Sequence, residues 1–166
     1  MVKWKYPIVA ALILLAGIWL IRVFWPSEEK RIQRAFDSLA EYARKSEGEA
    51  PLTAIQKIQR LQSLFGETCE LQFPTYGISG SFARQDLSLM AARGRAHFQE
   101  LELSFHDFSI SFPEKEMASV TVTARLRGRM VRGEAVDEPH ELRCHLRKID
   151  GQWYFIRLEG VEVLKR

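Results

Sequence analysis

The hexapeptide HELRCH, residues 140–145, gathers two imidazoles, a thiol and a carboxylate. On a helix, H-E-x-x-H places two histidines one turn apart to hold zinc, with the glutamate as base. Here the residue four after His140 is Cys144, the second imidazole is His145, and no third ligand group stands nearby in sequence. On a strand, positions five apart point to opposite faces, so His140 and His145 cannot share an ion. No metal and no cofactor are expected. Cys144 keeps two readings. It is either a core residue with Leu142 and Leu146, since cysteine is often buried as a small hydrophobe, or the partner of Cys69 in a disulfide, if the domain stands in an oxidising compartment. Glu70, His97 and His140 are the candidate acid–base groups, and His106 has no evident partner.

Which of these chemistries is open depends on the elements beneath them. Asp150-Gly151 lies between two strand-like runs, ELRCHLRKI and QWYFIRLEG, the strongest short hairpin signal. With those two residues as the turn, Lys148 faces Trp153, Leu146 faces Phe155, Cys144 faces Arg157 and Leu142 faces Glu159, all on one side of a sheet. The other side then carries Tyr154, Ile156 and Leu158 beside Arg143, His145 and Arg147. An apolar row flanked by arginines on a face that would otherwise be polar predicts docking against a second sheet. Arg143, Arg147, Tyr154, Ile156 and Leu158 are the candidate interface. Upstream, Leu101, Leu103 and Phe105 alternate, and Phe108, Ile110 and Phe112 alternate on the opposite parity, which predicts one long strand with a bulge near His106 and Asp107. MASVTVTARLRGRM alternates again.

Helices precede these strands. Pro26 stops what comes before, and Ser27 is a good N-cap with Glu28 and Glu29 in the first turn. Ile32, Ala35, Phe36, Leu39 and Ala43 then recur at helical spacing. Thr53–Gln56 has the form of a capping box, with Ile55, Ile58, Leu61, Leu64 and Phe65 behind it and Gly66 as the stop. A short extended run, CELQFPTYG, leads to a third helix, which Ser81 would cap and which would bury Leu87, Met90 and Ala91.

The N-terminus sets the compartment. Residues 7–25, PIVAALILLAGIWLIRVFW, hold one charge in nineteen residues, about 28 Å as a helix and near a bilayer's hydrocarbon thickness. Trp4, Tyr6, Phe24 and Trp25 flank it as interfacial aromatics do. No A-x-A-like exit follows, so an uncleaved signal anchor is favoured over a cleaved signal peptide. Lys3 and Lys5 favour a cytoplasmic N-terminus, which places the rest of the chain outside the inner membrane, in a periplasm or extracellular space. The division is therefore residues 1–26, tail and anchor, and residues 27–166, a soluble domain. Lys3, Lys5 and Arg22 account for the formal charge of +3. The remaining residues balance, and no nucleic-acid partner is expected.

A transmembrane helix, then three helices packed on a curved antiparallel sheet, is an α+β arrangement. Together with ISGSFARQDL and KIDGQWYFI it resembles the nuclear transport factor 2-like superfamily over about residues 27–166. That resemblance implies a cone with a pocket between helices and concave sheet, in which some members place an acid or histidine as isomerases, dehydratases or cyclases. Others are membrane-anchored periplasmic domains. The isomerase-like pattern would put an Asp ahead of the third helix, where this chain reads LQFPTYGISG. Phe73, Tyr76, Met90, Trp153 and Phe155 are the candidate pocket lining. The first functional expectation is a non-catalytic, membrane-anchored interaction domain that self-associates or binds an envelope protein. The alternatives are a small-molecule or lipid carrier and an isomerase or dehydratase.

Overall fold

The computed structural model describes residues 27–161 and, upstream of them, Leu14. The chain divides into two units, residues 1–31 and 32–166. In the first, Leu14 is helical and exposed; the rest of the expected span at residues 7–25 lies outside the described residues. No helix among the described residues is long and apolar enough to cross a membrane. Ser27 caps helix α1 (Glu28–Ala43) as expected, its Oγ accepting the Lys30 N–H at 3.3 Å.

In the second unit α1 continues, followed by α2 (Pro51–Gln62), β1 (Phe65–Phe73), a 3₁₀ turn (Pro74–Tyr76), β2 (Ile78–Ala83), α3 (Arg84–Ala96), β3 (Phe98–Glu114), β4 (Met117–Met130), β5 (Ala135–Ile149) and β6 (Gln152–Gly160). The six strands form one sheet in the order β2-β1-β6-β5-β4-β3. The sheet is mixed rather than wholly antiparallel, because β1 runs parallel to β6; a parallel neighbour needs a long crossover, and everything from β2 to β5 supplies it.

The change of parity in β3 is a bulge. Pairing with β4 slips between His106 and Ser109, and Asp107 takes φ 57°. Phe105 before the slip and Phe108 and Ile110 after it all pack on the core. Phe36 of α1 is fully buried where they converge, meeting Phe105, Phe108 and Phe155 edge to face at ring separations of 5.1, 5.3 and 5.0 Å. Leu61 of α2 and Leu87 of α3 close the same core.

Helix ends depart from expectation. α2 begins at Pro51, one turn position where a missing N–H costs nothing, and its N-cap is Ala50 with no side-chain bond, so Thr53 and Gln56 form no capping box. It ends at Gln62, and Gly66 lies within β1. Ser81 caps nothing. Ile78–Ala83 is a strand whose exposure alternates, Ser81 pairs with Glu70, and α3 starts only at Arg84 behind Ala83.

The loop after α1 is fastened by charge. Arg95, buried on α3, donates to the carbonyls of Ala43 (3.1 Å) and Arg44 (2.8 Å) and to Glu49 Oε2 (2.7 Å). Lys57 Nζ meets Glu49 Oε1 at 2.8 Å, and Lys45 Nζ donates to the carbonyls of Arg95 and Phe98. Arg95, Glu49, Lys45 and Lys57 each meet a counter-charge or a carbonyl, as a buried ion must.

Candidate site: an apolar cavity with a polar mouth

Between the helices and the concave sheet face lies a cavity of about 270 Å³. Phe36 and Leu39 reach it from α1, Leu61 from α2, and Leu87, Met90 and Ala91 from α3; Leu71, Phe73, Leu103, Phe105, Leu142, Cys144 and Leu158 reach it from the strands, with Phe65. Of the expected lining, Phe73 and Met90 face this space. Phe155 and Trp153 sit deeper. Phe155 packs against the rings of Phe36 and Phe65, and Trp153 is buried beside Phe112. Tyr76 is 58 % exposed and stands outside the lining.

One strand face runs from mouth to floor. Along β5, Glu138 is exposed, His140 and Leu142 are half-buried, and Cys144 and Leu146 are fully buried. Alternation makes these five residues neighbours on one face, each about 6.6 Å from the next. At the outer end Tyr76 Oη and His140 Nε2 are 3.3 Å apart, and His140 Nε2 and Glu138 Oε2 are 3.2 Å apart. Just inside, Leu142 pairs with Gly160 of β6, and the Phe73 ring lies so close to Gly160 that a Cβ there would sit 3.0 Å from it. Any larger residue would require the ring to shift by a few tenths of an ångström.

Pro139 obscures this face in the sequence. Proline in a strand normally argues for an edge. Here β6 has ended opposite Leu142, so Pro139 pairs only with Arg125 of β4, and its missing N–H is turned to the open side.

The other candidate bases stand apart. Glu70 faces the outer side of the sheet, held by Arg157 at 3.0 Å and Gln72 at 3.0 Å. His97 ends α3, exposed, its carbonyl accepting the Val131 N–H. His106 is exposed and meets Ser104. His145, as its parity requires, lies opposite Ser119 and Arg157, away from His140.

Of the two readings of Cys144, the disulfide with Cys69 is not formed and the core position is: both thiols are free and buried. Cys69 is on β1 and Cys144 on β5, and β6 runs between them. Two strand spacings separate such backbones by roughly 9.6 Å, beyond the roughly 7 Å limit for a bridge. Burial pushes the Cys69 thiol up to about 12, with the charge of Glu70 adding to it, and pushes Cys144 up as well, joined by Cys69 and Glu159.

The outer face is also corrected. The hairpin register holds for Lys148 with Trp153 and Leu146 with Phe155, then slips, so that His145 faces Arg157 and Cys144 faces Leu158. Ile156 is the extra residue of a bulge. Leu158 therefore turns inward to the cavity, and the Ile156 Cγ2 lies over Gly66. Tyr154 remains outside beside Arg147, its hydroxyl donating to Gln152, and Arg143 lies opposite Glu159.

A second, larger depression of about 520 Å³ lies between loop 44–47 and the ends of β3, β4 and β5. Its walls mix Lys45, Arg127 and Arg129 with Glu100, Glu102 and Asp137, so no one sign of charge dominates there.

Solved structures share this architecture. A candidate scytalone dehydratase from Novosphingobium aromaticivorans superposes with a TM-score of 0.64 at 20 % identity, covering 81 % of this chain and 85 % of that one. A hexachlorocyclohexane dehydrochlorinase, LinA type 2, gives 0.65 at 15 % identity, covering 86 % and 87 %. The Kfla4162 protein of Kribbella flavida gives 0.68 at 10 % identity, covering 84 % and 93 %. The fold is the nuclear transport factor 2-like cone. No family model matches the sequence, and no curated protein matches it. At these identities the likeness is one of fold. The cavity of this chain has an apolar wall, and Tyr76, His140 and Glu138 meet beyond it on the same strand face.

Proposed function

We propose that this nuclear transport factor 2-like domain binds a compact apolar small molecule in its cone, tethered to the membrane by the apolar run at residues 7–25. The observation that carries the reading is the cavity wall: aliphatic and aromatic side chains with a single protonated thiol, Cys144, in about 270 Å³. A cavity of about 150 Å³ lined by such residues suffices for benzene, so this one has room for a ring and several further atoms. Calorimetric titration of the full chain with butylbenzene tests it. Binding is expected for the native chain and is expected to vanish when Leu142→Trp fills the cavity; equal heats for the two proteins would end the proposal. The anchor is tested separately, by whether deletion of residues 7–25 releases the protein from membranes, and a periplasmic reporter fusion tests its orientation.

A second reading, elimination or isomerisation chemistry, is supported by His140 beside Glu138 at the mouth and by the structural likeness to proteins named as a dehydratase and a dehydrochlorinase. A base acts from within hydrogen-bond reach of the proton it takes, and His140 stands one strand step beyond the nearest lining residue on its strand, Leu142. Turnover abolished by His140→Ala with ligand binding retained would favour it. Self-association through the outer face has narrower support, since Leu158 has left that face and Ile156 is seated against its own sheet. Sedimentation of the full chain distinguishes dimer from monomer.

A further inference from the structure

The cavity accounts for the body of a ligand and leaves its mouth unexplained. Three polar side chains converge there: Glu138, 56 % exposed; His140, 41 % exposed; and Tyr76 on the 3₁₀ turn. Around them the concave face is apolar. Glu138 lies opposite Leu126 and His140 opposite Ala124 on β4, and these in turn lie opposite Leu103 and Phe105 on β3. The arginines of this region, Arg125 and Arg127, are on the other face, where both engage Asp137. Among the described residues, the only side-chain partner of the Glu138 carboxylate is therefore His140, which is charged only when protonated.

An acceptor set of this kind, one carboxylate with an imidazole and a phenol beside an aromatic ring face, suits a head group that brings protons and positive charge. It repels an anionic head. The head need not be desolvated, because the groups that would receive it are themselves half in water, so a charged end can stay wet while an apolar body is buried. The two ends are also matched in reach: the step from Leu142 to His140 is about 6.6 Å along the strand, a span that about five single bonds of an extended chain cross.

We infer that the ligand is a small cationic amphiphile: a one-ring apolar body in the cavity, joined by a short chain to a protonated amine that is received by Glu138, His140 and Tyr76. The inference rests on the ligand-binding reading of the same cavity and names the class of molecule that fills it.

The test uses four probes with one body, 4-phenylbutylamine, 4-phenylbutanol, 4-phenylbutanoate and butylbenzene, titrated into the full chain at low salt. The amine is expected to bind about fivefold tighter than butylbenzene, the size that an exposed charge pair with a cation–π contact supplies, and the carboxylate weakest of the four. Raising the salt should shrink the advantage of the amine, and Glu138→Gln should remove it while leaving butylbenzene affinity unchanged. Butylbenzene binding with no preference for the amine, with the alcohol or carboxylate equal to it, or with the preference intact in Glu138→Gln, overturns this inference and leaves the cavity reading standing. Binding of none of the four overturns both.

Discussion

Two buried regions of this domain are held together by opposite means. At the floor of the cone, Phe36, Phe155, Val120, Val122 and Leu146 are within about one per cent of complete burial and pack in one apolar cluster with the thiols of Cys69 and Cys144. At the corner where α1, α2 and α3 end, Glu49 and Arg95 are buried almost as deeply, with side chains 5 % and 7 % exposed, and are held by charge and by carbonyls. Packing tolerates loss of volume badly and is indifferent to acid. A charge network tolerates reshaping but depends on every partner's ionisation. The two regions should therefore fail under different conditions.

The floor should show the largest effect. Phe36→Ala removes a ring with three edge-to-face partners and should cost about 3 to 5 kcal/mol in denaturant titration. A loss below about 1 kcal/mol would mean that the cavity beside Phe36 collapses to heal the gap. Next comes the corner: Arg95→Met leaves Glu49 with Lys57 alone and should cost about 3 kcal/mol, part of which Glu49→Gln in the same chain should restore. If the double variant is no better than the single, the charge pairing is not what holds the loop.

Acid separates the regions further. Burial pushes the Glu49 carboxyl up, but the hydrogen bond from Lys57 and the charges of Arg95 and Lys57 outweigh it, and the net position is below the ordinary 4.5. A lowered acid is ionised in the folded chain while the unfolded chain still takes up protons, so its contribution is complete above pH 4.5 and is lost as pH falls through the lowered value. The stability difference between the native chain and Glu49→Gln should narrow over that range and stay constant above it. In alkali the sign reverses and the floor responds. Both thiols are raised above their ordinary 9.0, Cys69 to about 12, so stability is full below pH 9 and falls above it as the unfolded chain loses thiol protons first. Replacing both cysteines by alanine should flatten the alkaline limb.

The legible parts of the fold were those written locally. The Ser27 cap, the stripe through Ile32 and Phe36, the parity change at His106 and Asp107, and the Asp150-Gly151 turn, with φ 49° and 81°, all depend on residues within a few positions of one another. The third-helix start was misread because ISGSFA alternates only weakly and its pairing partner, β1, precedes it across a turn. The site was less legible. Phe73 and Met90 could be named as lining, but Tyr76 and His140 are 64 residues apart, and no spacing rule joins them.

By itself, the sequence determined periodicity, turn chemistry and the side of each strand that carries apolar residues, because these follow from backbone geometry over short stretches. Only the tertiary structure decided that β6 would run between Cys69 and Cys144, that a bulge at Ile156 would turn Leu158 inward, and that Glu138, His140 and Tyr76 would meet at the rim. Strand order and register come from the competition of all strands for one core, and a single added residue in β6 reverses which face every later side chain on that strand takes.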